Sequence, residues 1–77
     1  MEKETISLNN ISSGRTVKIA RIDAGRGLRQ RLAALGLLPG ATVRVIKTLG
    51  RGQVVVEIFQ SKTLLGRGVT EKIYVAG

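Results

Sequence analysis

The ionisable side chains of this chain are lopsided. Thirteen Lys and Arg stand against five carboxylates, Glu2, Glu4, Asp23, Glu57 and Glu71, with no histidine and no cysteine. Lack of histidine removes the commonest general base and the commonest neutral metal ligand. Lack of cysteine removes thiolate metal sites and disulfides. Acid–base work by two carboxylates needs a pair held close together. Only Glu2 and Glu4 are close in sequence, in a stretch, residues 1–5, where fraying is expected. A tight transition-metal site made by one chain is therefore not expected, which leaves only a weak all-oxygen site or one shared between chains. No G-x-x-x-x-G-K-[ST] phosphate loop is present either. The residues offer no catalytic group, no metal ligand set and no cofactor site, so the expectation is a surface and not an enzyme.

What remains is arginine. Gly25-Arg26-Gly27, Gly50-Arg51-Gly52 and Gly66-Arg67-Gly68 repeat one triplet and use six of the ten glycines. Arg-Gly units that bind RNA are clustered in disordered segments. These three are separated by periodic, foldable stretches and have no aromatic neighbour, so they read as turns. A net charge of +8 favours an acidic partner: nucleic acid, anionic lipid or an acidic protein face. Arg26, Arg29, Arg51 and Arg67 are candidate contacts, because the guanidinium fork suits carboxylates. The plain alternative is a solvated cationic face.

These residues must be positioned by a small fold. Seventy-seven residues make one domain, 1–77, and 43% hydrophobic content is normal for a globular chain. Aromatics are only 3%, so the core must be Val, Ile and Leu. No apolar run approaches the length of about 20 residues needed to cross a bilayer, and MEKETISLNN lacks the apolar heart of a signal peptide. A cytoplasmic location with no direct membrane insertion is the expectation.

Ile6, Leu8 and Ile11 anchor an approach segment that ends at Ser12-Ser13-Gly14. TVKIARI, 16–22, alternates as a strand, and the changed parity of Ile22 predicts a bulge near Ala20-Arg21. The period then becomes helical: Leu28, Leu32 and Leu35 at i, i+4 and i+7 predict a helix over about 26–36, with Gly36 at its left-handed end and all three leucines in the core. Pro39-Gly40 makes the next turn. Strands follow at 42–48, 53–59, 62–65 and 73–75, with the 49–52 segment as a hairpin connection and one 3₁₀ turn over 68–72. Five short strands with one early helix are expected to curl into an all-β small barrel, which buries one face and removes exposed edges. Ile46, Val55, Phe59 and Tyr74 take the outward parity. Either the helix or the N-terminal segment covers them, or they form an apolar patch anchored by Phe59 and Tyr74, which would also permit weak self-association.

RQRLAALGLLPGATVRV, residues 29–45, resembles the signature of the FeoA family, small cytoplasmic accessory proteins of ferrous iron uptake. The matching elements are Arg31-Leu32, Leu35-Gly36-Leu37, Pro39-Gly40 and Val43-Val45. Leu8, Gly14, Val17 and Ile19 on one flank, and Leu64, Leu65 and Ile73-Tyr74-Val75 on the other, extend the likeness to almost the whole chain. The resemblance implies an SH3-like five-stranded barrel with a short helix after the first strand. It implies iron transport, hence association with a transition metal ion, and a partner: the cytoplasmic GTP-hydrolysing region of the FeoB permease, which would recruit the chain to the inner membrane. Lying within the motif, Arg31 is expected to be structural, bonding carbonyls of the Leu-Gly-Leu turn. The same module is similar to the C-terminal domain of iron- or manganese-dependent repressors of the DtxR type. No DNA-binding domain accompanies it here, which favours a free-standing protein. The three Gly-Arg-Gly units and the charge depart from the family pattern.

Two functions of different class follow. One is a non-enzymatic accessory protein of iron uptake, with no nucleic acid as partner. The other is a basic, nucleic-acid-binding SH3-like barrel, whose binding would fall steeply with salt.

Overall fold

The computed structural model describes residues 5–76; the expected fraying of 1–5 therefore lies, but for Thr5, outside the described residues. Six strands form one antiparallel sheet: β1 (Ile6–Ser7), β2 (Thr16–Ile22), β3 (Thr42–Thr48), β4 (Val54–Ile58), β5 (Ser61–Leu65) and β6 (Ile73–Ala76). Their order across the sheet is β1-β6-β2-β3-β4-β5. Two helices interrupt them, α1 (Arg26–Ala34) and the single turn α2 (Arg67–Thr70). The sheet curls around a core of aliphatic side chains, giving the small all-β, SH3-like barrel expected.

Two-residue periodicity builds this core directly. Val17 and Ile19 of β2, Val43 and Val45 of β3, Val54, Val56 and Ile58 of β4, and Ile73 and Val75 of β6 are all buried. The register of β2 against β6 shifts between Ile19 and Arg21, the predicted bulge, and it returns Ile22 to the core. A second shift, between Val45 and Lys47, leaves Ile46 as the extra residue of β3 against β4.

Three features differ from the sequence-based expectation. A sixth strand exists: Ile6 and Ser7 pair with Val75 and Tyr74, because Leu8 and Ile11 are drawn into the core and lay the approach segment along β6. The strands do not close fully, for no ladder joins β1 to β5. Instead α2 packs against the 3₁₀ turn Leu8–Asn10 and against the Gly50–Gly52 turn. Finally, the segment between β5 and β6 is one turn of α-helix and not a 3₁₀ turn.

The leucine stripe of α1 also needs correcting. Leu32 is buried at 3% exposure, but Leu28 is only half-buried and Leu35 is 49% exposed. The reason is the helix end. Gly36 takes φ +90°, the Leu37 N–H donates to the Leu32 carbonyl at 2.9 Å, and the Gly36 N–H donates to the Ala33 carbonyl at 2.9 Å. This is a Schellman motif, which brings the second residue past the helix onto its last buried position. Leu37, fully buried, therefore takes the core place expected for Leu35. The role expected of Arg31, bonding the carbonyls of the Leu-Gly-Leu turn, is not seen. Arg31 is exposed and makes no side-chain hydrogen bond among the described residues.

The Pro39-Gly40 turn is pinned to β2. The Gly40 N–H donates to the Ile19 carbonyl at 2.7 Å, and the Ile19 N–H donates to the Ala41 carbonyl at 2.8 Å. The helix and its exit loop are thus fixed against the bulged end of β2.

Candidate functional site

Between α1, the end of β2 and the Leu37–Pro39 segment lies a groove of about 540 Å³. Ile22, Ala33, Leu37, Leu38 and Pro39 give it apolar walls, while Arg21, Arg26, Arg29 and Gln30 border it. The geometry follows from local sequence. Arg26 and Arg29 are three residues apart on α1, hence neighbours on one helix face. The β2 bulge turns Arg21 outward beside them. There its guanidinium lies over the Tyr74 ring at 4.3 Å and pairs with Asp23 at 3.3 Å. Both partners restrain Arg21, though each such contact is weak at an exposed site.

An apolar cluster adjoins the groove. Phe59 is 92% exposed, and Leu35 and Leu38 are 49% and 44% exposed. The sequence pattern placed Phe59 at the end of a strand, but β4 stops at Ile58 and Phe59-Gln60 forms the hairpin turn to β5. Both turn residues have positive φ, +49° and +70°, the requirement of a type I′ turn, which normally selects Asn and Gly. A phenylalanine here carries backbone strain and gains little burial in return. Its ring lies over Gly36, whose added Cβ would stand 3.8 Å from Phe59 Cε2. Gly36 separates Leu35 from Leu37-Leu38, so all three exposed side chains gather at the exit of α1.

The remaining two candidate arginines belong elsewhere. Arg51 sits at φ +67° within the turn between β3 and β4. Arg67 starts α2, ion-paired with Glu71 at 3.8 Å, and its side chain lies close over Gly52. The fully buried Thr70 hydroxyl donates to the Gly52 carbonyl at 2.7 Å. Two of the three Gly-Arg-Gly triplets are therefore packed on each other, while Gly25-Arg26-Gly27 opens the helix by the groove. Neither Arg51 nor Arg67 lines that groove.

Of the predicted contacts, Arg26 and Arg29 thus share one site, Tyr74 supports it through Arg21, Phe59 lies over Gly36 outside the groove's lining, and Arg51 and Arg67 belong to the two triplets packed on each other elsewhere. Arg21 and Leu38 were missed. The changed parity at Ile22 is the signal that would have found Arg21. A leucine left over after the Leu-Gly-Leu turn is the signal for Leu38. Among the described residues no cluster of three or more Asp, Glu, His or Cys could hold a metal ion. Nor is any helix among them long and apolar enough to cross a membrane.

A family model described as the FeoA domain matches residues 6–77. A Methanocaldococcus jannaschii protein, provisionally named Fe(2+) transport protein A, is 37% identical over 62 residues, which span 80% of this chain and 74% of the relative. The crystal structure of an iron uptake regulatory protein, FeoA, superposes with a TM-score of 0.83 at 24% identity, over 96% of this chain and 97% of its own. A manganese-dependent transcriptional repressor gives a TM-score of 0.86 at 25% identity, over 97% of this chain but only 42% of the repressor. The barrel is thus shared between free-standing transport proteins and one part of a longer regulator.

Proposed function

We propose, from the premise that this chain belongs to the FeoA family and that the family is associated with Fe(2+) transport, that it is a non-enzymatic accessory protein. Its partner would be the cytoplasmic GTP-hydrolysing region of the FeoB permease. It would work in the cytoplasm, drawn to the inner membrane by that contact. One observation carries the reading: Phe59 is held bare at a strained turn, its ring over Gly36 at the exit of α1, where Leu35 and Leu38 are exposed too. An exposed aromatic flanked by leucines is costly to a monomer and typical of a protein interface. Such strain is often found at functional positions. The poverty of catalytic groups agrees with a chain that acts by being bound.

The mechanism is then differential affinity. A protein without chemistry of its own alters a transporter only if it binds one conformational state more tightly than another. The size of its effect is limited by that difference. The test is titration of the full chain against the permease's soluble cytoplasmic region, with and without guanine nucleotide. Binding that differs between nucleotide states is the expected result. No binding in either state, with normal iron uptake in a deletion strain, would overturn the reading.

A further inference from the structure

We infer that the groove between α1 and β2 receives an acidic, amphipathic segment of the protein partner, its apolar side chains against the exposed Ala33, Leu38 and Pro39 and its carboxylates on Arg26 and Arg29. This deepens the accessory reading and rests on it for the partner's name only.

The argument begins with the unequal state of the bordering arginines. Arg21 is already engaged by Asp23 and Tyr74. Arg26 and Arg29 have no ion pair among the described residues. They are a matched pair of guanidiniums one helical turn apart, spaced for two carboxylates on a partner element. Arg26 also lies in the first turn of α1, where no acidic residue stands and Gly25 supplies no side-chain cap. A cation in the first turn opposes the helix dipole, so an incoming carboxylate would relieve an existing repulsion.

The apolar walls decide the class of occupant. A nucleic-acid backbone would satisfy the arginines but would leave the exposed Ala33, Leu38 and Pro39 facing phosphates, and no aromatic lines the groove to stack a base. A second copy of this chain is poorly suited as well. Of its described carboxylates, Asp23 is held by Arg21 and Glu71 by Arg67, which leaves only the half-buried Glu57. A protein segment carrying both leucine-like and carboxylate side chains matches walls and rim together.

Two measurements on the full chain test this. In the first, the isotope-labelled chain is titrated with a helical Leu/Glu peptide and, separately, with its Leu/Lys counterpart, followed by NMR. The Leu/Glu peptide should move the amide signals of Arg26, Arg29, Ala33 and Leu38, and the Leu/Lys peptide should not. Absence of these shifts, or equal shifts with both peptides, overturns the inference whether or not the permease binds. Competition by duplex DNA at the same signals, or concentration-dependent self-association through them, overturns it in favour of those occupants. In the second, Arg26→Glu/Arg29→Glu is compared with Lys18→Glu/Arg51→Glu, which changes net charge equally away from the groove. Affinity for the permease's cytoplasmic region should fall at least tenfold for the first pair and less than threefold for the second. Equal losses overturn the groove assignment. Peptide binding in the groove without any permease binding would instead overturn the accessory reading and leave the groove standing.

Discussion

The ring of Phe59 lies over Gly36, so a strained hairpin turn and the end of α1 meet at one point. The glycine is there for two reasons at once. Its φ of +90° closes the helix, and a Cβ in its place would come within 3.2 Å of Ile58 Cγ2 as well as reaching the Phe59 ring. Helix exit, hairpin tip and exposed apolar cluster are therefore a single mechanical unit.

Gly36→Ala should accordingly cost more than about 1 kcal/mol, since both the backbone conformation and the neighbouring β4 side chain oppose it. Chemical denaturation of the purified variant measures this. A cost near zero would show that the helix end can relax away from β4.

Phe59→Asn should act in opposite directions on stability and binding. Asparagine tolerates the left-handed region, so of order 1 kcal/mol of strain is relieved and the melting temperature rises by roughly 4–8 °C. Affinity for the permease's cytoplasmic region should fall in the same variant. A lower melting temperature would mean that the bare ring stabilises the barrel itself.

Leu32→Ala and Leu35→Ala separate core from surface within one sequence stripe. The buried Leu32 should cost about 2–5 kcal/mol on truncation. Leu35, half in solvent, should change stability by no more than about 0.5 kcal/mol, and Leu35→Asp should weaken partner binding without unfolding the chain. Thermal melts read the first difference and a binding titration the second.

Thr70→Val tests the bond that ties α2 to the β3–β4 turn. Removing the hydroxyl leaves the Gly52 carbonyl without that donor, at a cost of about 1–3 kcal/mol, whereas Thr70→Ser should keep most of the stability. Hydrogen exchange of the amides around Gly50–Gly52 should accelerate in the valine variant only. Unchanged exchange would show that the packing of Arg67 over Gly52 suffices.

Much of this fold was legible because its signals are local. Alternation of Val and Ile wrote β2, β3, β4 and β6 and their inward faces. The shifted parity of Ile22 announced a bulge, and Leu-x-x-x-Leu followed by Gly wrote the helix and its end. The RLAALGLLPG stretch was enough to indicate the family. Arg26 and Arg29 were legible as a pair, since i and i+3 on a helix are neighbours wherever the helix goes.

What the sequence left open depends on contacts between distant segments. Leu35 and Leu37 are equivalent in composition, and only the Schellman reversal, set against β4, decided that Leu37 enters the core. Phe59 looked like the last residue of a strand, because the turn after Ile58 uses none of the residues that normally mark a type I′ turn. The grouping of the arginines was equally undetermined. Side-chain spacing in a chain fixes neighbours only within one element, whereas Arg21 reaches the groove through a bulge registered on β6, and Arg67 lies over Gly52, where Thr70 bonds across the fold. Local periodicity thus determined α1 and the strands β2, β3, β4 and β6 with those strands' buried faces; the pairing and packing of the elements decided which leucines enter the core and which exposed residues share a site.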